Sequence, residues 1–284
     1  MPKIVKKSSK KDSKDLKITN TANFKIENLQ EAIKILTTYS LKKQSKSKDI
    51  MTLSKVPFLY VNMVVRKLPE VINITPSQIE VSNALYGKEY SSKHCFIVSN
   101  EFKKTYKEQL DNFKKQGWKF LSYEKLTKNY KSFSQKQALS KFYDLFLCER
   151  SVYMLLKAHL GRNFYRSKKY PFPVELSECV KTDKTLDSDK FEKLLTKSSL
   201  KSTYFIQGNG PEYSIKSTRI VEGQYDKMIQ NICESIEGIY SDLKSKGMCK
   251  SSIRRIALRG EDTDSLPIYS NLTEDEIKSI KQIL

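Results

Sequence analysis

Between residues 94 and 161 short apolar runs alternate with amphipathic stretches, and this rhythm restricts the fold more than any other feature of the chain. His94 to Val98 (HCFIV) has the composition of a buried strand. Residues 101–115 carry Phe102, Tyr106, Leu110 and Phe113 at helical spacing, and Gly117 closes that helix. Trp118 to Leu121 reads as a strand, 134–141 as a helix, Phe142 to Cys148 as a buried strand, and 151–160 as a helix ended by Gly161. Strands and helices that alternate with short links predict a parallel sheet with helices on its faces.

The flanks follow a different plan. Residues 1–20 are mostly Lys, Ser and Asp and are expected to form a disordered basic arm. Ile26, Leu29, Ile33, Leu36 and Tyr39 predict a helix that runs to about Lys43. Pro57 to Val65 predicts a largely buried strand, and Ile79 to Val81 a short one. Beyond Gly161 a basic loop leads to a Pro-marked strand near Phe172, then a helix over 190–199 and a strand over 202–206. Gly208-Asn209-Gly210-Pro211 signals a hairpin turn before an extended segment, 213–221. The longest helix, 222–243, carries an apolar stripe from Tyr225 through Ile229, Ile232, Ile236 and Ile239 to Leu243. A strand follows over 252–258. Thr273 and Glu276 form a capping box that predicts a tail helix within 271–284.

Composition narrows the chemistry. Lys and Arg number 52 against 32 Asp and Glu, a formal charge of +20, which favours a polyanionic partner. The apolar run at Val56 to Val65 is far short of a membrane span, so no membrane partner is expected. The five Cys are scattered without a C-x-x-C pair, and there are only two His, so no metal centre is expected. No Gly-rich phosphate loop occurs, and no nucleophile, base and oxyanion set can be assembled; no cofactor, small-molecule substrate or catalytic residue is predicted. Asp144 and Glu149 flank a strand in an α/β pattern, but Glu149-Arg150 reads more simply as a charge pair at a helix start with Ser151 as a local cap. His94 and Cys95, adjacent on a strand, point to opposite faces and cannot form a dyad.

Phosphate contacts need cations, and aromatic groups help fix register. Four clusters qualify: Lys55, Phe58, Arg66 and Lys67; then Arg162, Tyr165, Arg166, Lys168, Lys169 and Tyr170; then Lys216, Thr218 and Arg219; then Arg254, Arg255 and Arg259. Arg is sparse in this Lys-rich chain, and its planar fork suits phosphate, so its positions are the more informative. The Lys-rich helix over 103–115 reads as a solvated face.

Three blocks resemble a known family. Tyr143-Asp144-Leu145-Phe146-Leu147-Cys148-Glu149-Arg150, then Leu155-Leu156 with Leu160-Gly161 and Phe164-Tyr165, then Lys168-Lys169 with Pro171-Phe172-Pro173-Val174, are similar to the second-domain signature of the ribosomal L-one stalk-protein family. Asn231-Ile232 within the longest helix, and Arg254-Arg255-Ile256-Ala257-Leu258 with Ser265-Leu266-Pro267-Ile268-Tyr269, resemble its closing elements. The resemblance covers roughly residues 25–270. Where ribosomal members carry Thr-Met-Gly-Pro, this chain has Asp264-Ser265-Leu266-Pro267, closer to the nucleolar assembly-factor branch.

The resemblance implies a two-domain α/β fold. A split β-α-β domain, 21–73 with 164–270, would receive an inserted three-layer, Rossmann-like α/β domain, 74–163. It implies a non-catalytic factor of ribosome biogenesis in the nucleus and nucleolus, with pre-rRNA, pre-ribosomal assembly factors and ribosomal proteins as partners. Phe58 falls where the family has an RNA-contacting Phe. Lys55, Phe58 and Arg66 would line one strand edge, with Thr218, Arg219, Arg254 and Arg259 beside them and Ser265 and Leu266 in the closing loop. A large-subunit stalk protein and a scaffold for acidic protein partners are the alternatives.

Overall fold

The computed structural model describes residues 26–46, 55–70, 75–90, 92–161, 164–165, 167–180, 185–205, 210–261 and 263–271. The basic arm, Arg162, Arg166, most of the Gly208 turn and the predicted tail helix lie outside these residues.

The two ends of the chain build one antiparallel sheet. Its strands are β1 (Phe58–Val65), β8 (Glu212–Arg219), β9 (Ile253–Gly260) and β10 (Ser265–Ser270), in the order β10-β9-β1-β8. Helices α1 (Ile26–Ser45) and α8 (Tyr225–Ser245) cover one face. Alternation along β1 sends Leu59, Val61, Met63 and Val65 into the core beneath them, with Leu29, Ile33, Ile232 and Ile239. β1 is central, paired to β8 on one side and β9 on the other, so the expected strand edge does not exist. β1 is buried on both faces, by α1 and α8 on one side and by the cluster around Phe58 and Tyr60 on the other, which is why it shows no clean apolar alternation.

The middle of the chain builds a parallel sheet in the order β4-β3-β5-β6: β3 (His94–Val98), β4 (Trp118–Ser122), β5 (Leu145–Glu149) and β6 (Phe172–Val174). On one face, α4 (Tyr123–Asn129), α5 (Phe133–Phe142) and α6 (Arg150–Leu160) pack Leu126, Leu139 and Leu156 against Cys95, Ile97 and Phe146. The other face holds α2 (Asn100–Thr105), α3 (Lys107–Lys114) and α7 (Ser188–Ser199). There Phe191 stacks on Phe96 at 6.0 Å between centroids and meets Phe113 edge-on at 5.1 Å. A two-stranded ribbon of β2 (Ser77–Glu80) and β7 (Lys201–Tyr204) forms where the chain passes between the sheets.

Several expectations are corrected. The inserted unit was expected to end at residue 163, yet β6 pairs with β5 and α7 packs on the parallel sheet, so 172–199 belong to that unit. The single helix over 101–115 breaks at Tyr106, just after Thr105, whose hydroxyl donates back to the Glu101 carbonyl at 3.0 Å. Such back-bonding bends helices. The strand expected from Phe142 begins only at Leu145, because the Ser132–Gln135 capping box starts a helix that runs through Phe142. Helix α4 buries a single residue, Leu126, and so shows no period in the sequence.

Gly238 on α8 marks the closest approach of this helix to the ribbon. A Cβ there would lie 2.4 Å from Cγ2 of Ile79, which is itself buried on β2. Gly238→Ala is expected to lower stability by about 1–3 kcal/mol through overpacking. In a double-mutant cycle with Ile79→Ala, urea unfolding should show the two losses to be strongly less than additive.

Candidate nucleic-acid interface

The face of the antiparallel sheet turned away from α1 and α8 carries Phe58, Tyr60 and Asn62 of β1. Strand register sets cations beside the aromatics: Phe58 pairs with Arg219, and Tyr60 pairs with Lys216 on one side and Arg259 on the other. The Arg219 guanidinium lies 3.6 Å from the Phe58 ring centroid, and the Lys216 ammonium lies 5.0 Å from it. Arg259 and Lys168 sit 5.8 and 4.7 Å from the Tyr60 centroid. Contacts in this range are attractive because each ring presents a negative face.

Arg219 is only 4% exposed, and backbone acceptors hold it. Its Nε donates to the Leu85 carbonyl at 3.0 Å, Nη1 to the Val56 carbonyl at 2.6 Å, and Nη2 to the Ser92 hydroxyl at 3.1 Å. Phe58 is therefore covered by Arg219 on one side and by Tyr86, 5.7 Å away, on another. Carboxylates are few here. Asp144, before β5, takes Lys55 at 3.0 Å and Lys169 at 3.7 Å. Glu261 accepts from the Tyr60 hydroxyl at 3.3 Å, and Glu212 from Asn62 Nδ2 at 2.7 Å. Lys169 also donates to the Ser140 and Tyr143 carbonyls at 2.6 and 2.7 Å, and Lys168 to the Ser214 hydroxyl. Six cations (Lys55, Lys168, Lys169, Lys216, Arg219, Arg259) thus share this region with three carboxylates.

The excess positive charge is confined, and proton affinities respond. Burial pushes the Lys168 and Lys169 amines down to about 8; Arg259 adds to the effect at Lys168, while Asp144 opposes it at Lys169. Lys216 is pushed well down, again chiefly by burial. Burial alone would raise the Asp144 carboxyl, but the charges of Lys169 and Lys55 outweigh it and hold the group below the usual carboxylate range.

The predicted residues are placed as follows. Phe58, Thr218, Arg219, Arg259, Ser265 and Leu266 gather at one end of the sheet, where Ser265 pairs with Arg259 and Leu266 with Leu258. Phe58 and Thr218 are buried at 3 and 4% exposure, Arg259 and Ser265 are half-buried, and Leu266 packs partly against the helix-side core. Lys55 sits at the same end, bound to Asp144. Arg66 and Arg254 are not brought there. They lie at the opposite end of β1, where the Arg66 amide donates to the Ser252 carbonyl at 2.8 Å and the Arg66 side chain to the Asn271 carbonyl. Eight residues of strand separate the two ends, about 26 Å. Lys168, Lys169 and Lys216 stood in the basic clusters read from the sequence but were not carried into the predicted site, and Tyr60 and Asp144 were not singled out for it. The Lys pair stood in a recognised basic loop, but the left-handed backbone of Lys168, at φ 52°, left no mark in the sequence.

The other chemical candidates resolve structurally. Glu149 accepts from the Ser99 amide and the Ser151 hydroxyl, both at 2.7 Å. His94 packs against Trp118 at 4.6 Å between centroids with the ring planes tilted by 48°, and burial pushes its imidazole down to about 4, so it is neutral near pH 7. Cys95 points into the core on the opposite side of the parallel sheet, its thiol pushed up to about 12 by burial. Among the described residues no group of His, Cys, Asp and Glu could hold a metal, and no helix is long and apolar enough to cross a membrane.

Two measurements probe this cluster. Asp144→Asn leaves Lys55 and Lys169 without their carboxylate and is expected to cost about 3 kcal/mol in denaturant unfolding. A lysine whose amine is depressed in the folded state binds its proton less tightly there than when unfolded. Its penalty is full below pH about 8 and is relieved as pH rises toward the ordinary lysine value. The stability of the parent chain relative to Lys168→Met should therefore increase from pH 8 to 10; a flat difference would contradict the burial of this amine.

Comparison with known proteins agrees with this architecture. The family model described as "Ribosomal protein L1p/L10e family" matches residues 6–263. "Ribosome biogenesis protein UTP30" of Saccharomyces cerevisiae is 27% identical over 174 residues, covering 57% of this chain and 63% of that protein. "Ribosomal L1 domain-containing protein 1" of Mus musculus is 24% identical over 282 residues, 92% of this chain and 56% of its own length. A putative ribosome biogenesis protein of Schizosaccharomyces pombe is 25% identical over 203 residues, 70% of this chain and 50% of its own. The chain thus spans between half and two-thirds of each relative. With the family model matching nearly the whole of a chain whose ends build one sheet around an inserted parallel one, the chain belongs to the ribosomal protein L1p/L10e family.

Proposed function

We propose that this protein is a non-catalytic factor of ribosome biogenesis that binds folded pre-rRNA through the Arg259 end of its antiparallel sheet. One observation carries the reading: six cations and two aromatic rings concentrate on one sheet face against three carboxylates. The relatives named as ribosome biogenesis proteins supply the process. Arg259, Ser265 and Leu266 form the accessible rim and touch RNA. Phe58, Thr218 and Arg219 shape that rim from beneath, Lys55 borders it, and Arg66 and Arg254 offer a second contact at the far end. Phosphate binding by such a surface recognises folded shape more than base sequence. Assembly factors and ribosomal proteins are its neighbours in pre-ribosomal particles, in the nucleolus.

Filter binding to pre-rRNA fragments across a salt series tests this. Arg219 is left intact, because its loss would strand three backbone and hydroxyl partners and confound binding with folding. Arg259→Gln should weaken binding and reduce the slope of log affinity against log salt by about one. Arg254→Gln, at the far end, should cost less. Unchanged affinity and slope in Arg259→Gln would refute the site. On gradients the protein should sediment with precursor particles and be absent from translating ribosomes.

A further inference from the structure

Helix α6 is apolar on its inner and its outer face. Val152, Tyr153, Leu156 and Leu160 point into the core of the parallel unit, yet Met154 is 60% and Leu155 is 53% exposed. At about 100° per residue the four buried positions occupy about 100° of the helix circumference, and Met154, Ala158, Ser151 and Leu155 fill a similar arc on the opposite side. Ala158 and Ser151 are exposed as well. In a chain with 30% charged residues, the arc of this helix that meets solvent carries no charge. Helices apolar all round are buried helices, and an exposed apolar patch marks a surface that another molecule covers.

The flanks of this arc differ. On the Met154 side stand Arg150 and Lys157. Arg150 Nη1 lies 3.7 Å from Glu175, just beyond the edge strand β6, with both side chains more than half exposed. Lys157 Nζ lies 5.8 Å from the Phe205 ring centroid, and among the described residues no carboxylate pairs with it. On the Leu155 side, His159 meets the Tyr123 ring edge-on at 6.4 Å between centroids. The arc itself is shaped for a helix. Ser151 with Leu155, and Met154 with Ala158, form two rows of i, i+4 spacing, each joining a small side chain to a large one. Between such rows runs a groove into which a row from a second helix fits.

We propose that an amphipathic helix of another protein packs along this face of α6, its apolar stripe on Met154, Leu155 and Ala158 and its Asp or Glu side chains beside Arg150 and Lys157. Charge selects this occupant. RNA phosphates have no complement in an uncharged arc of Met, Leu, Ala and Ser. A second copy brings another formal +20, and two α6 helices packed antiparallel about a twofold axis would set the Arg150 and Lys157 flank of each against that of the other. An acidic flank removes that repulsion; the cations then orient the partner, and the apolar stripe supplies the affinity. The face belongs to the parallel unit and shares no residue with the RNA-binding rim, so the inference stands independently of that reading.

Photocrosslinking from the full chain tests it, with p-benzoylphenylalanine in place of Leu155 and irradiation in its native cells. Adducts should converge on one segment of one other protein, with apolar residues at three- and four-residue steps and Asp or Glu alongside. Arg150→Glu combined with Lys157→Glu should cut the adduct at least about tenfold, and replacing those acidic partner residues by Lys should restore it. In the purified chain Leu155→Glu should leave the urea unfolding midpoint unchanged, because this side chain faces solvent in the free protein. Adducts to RNA, to this chain itself or scattered over many proteins would overturn the docking. So would the absence of an adduct, an adduct indifferent to the charge reversals, or a lowered midpoint in Leu155→Glu.

Discussion

A single buried guanidinium ties the two halves of this molecule together. Arg219 ends β8, places its guanidinium carbon 3.6 Å from the ring centroid of Phe58, the first residue of β1, and donates to the Val56 and Leu85 carbonyls and the Ser92 hydroxyl. Those partners belong to the entry into the antiparallel sheet and to the segment that leads into the parallel one. An arginine so buried is costly to desolvate, and it is tolerated because neutral acceptors take three of its five N–H donors while an aromatic face covers part of the guanidinium. Of the lysines around it, Lys169 is held in a similar way, by the Ser140 and Tyr143 carbonyls and by Asp144. Burial lowers the proton affinity of Lys168, Lys169 and Lys216, and the buried carboxylate of Asp144 is held ionised by Lys169 and Lys55.

This arrangement explains why a basic chain can close one sheet face against another unit without flying apart. Like charges at short range repel strongly in a low dielectric, but the repulsion is divided among aromatic faces, backbone carbonyls and three carboxylates. The remaining positive field emerges at the rim, where Arg259 and Ser265 share a register position on adjacent strands. A ligand with regularly spaced negative charges is the natural complement of that rim, which is what the proposed function requires of it.

The parts of this design legible in sequence were those governed by period and by covalent order. Strand β3 follows from an unbroken apolar run buried on both faces, and helix α6 and the stripe of α8 from apolar spacing, since each helix buries one continuous face. The elements that escaped rest on few contacts: α4 buries Leu126 alone, the helix over 101–115 breaks at Tyr106, and β6 is three residues pairing in parallel with β5. The site divided along the same line. Arg219, Arg259 and Phe58 stood out as sparse arginines and a family-matched aromatic. Asp144 became visible only in three dimensions, because its partners Lys55 and Lys169 lie 89 and 25 positions away in the chain. Distance in sequence also concealed that Arg66 and Arg254 stand at the other end of the sheet.

The central position of β1 has a consequence for the order of events in synthesis. Its two partners begin at Glu212 and Ile253, so roughly 150 to 190 residues must leave the ribosome before either ladder can close. Meanwhile β3, β4 and β5 pair over short separations, and the parallel unit has most of the means to fold first. During that interval β1 presents two open hydrogen-bonding edges and an apolar face, the combination most prone to pairing with the wrong chain. The nascent protein is thus most vulnerable early, at its first strand, and only completion of the last strands ends that exposure.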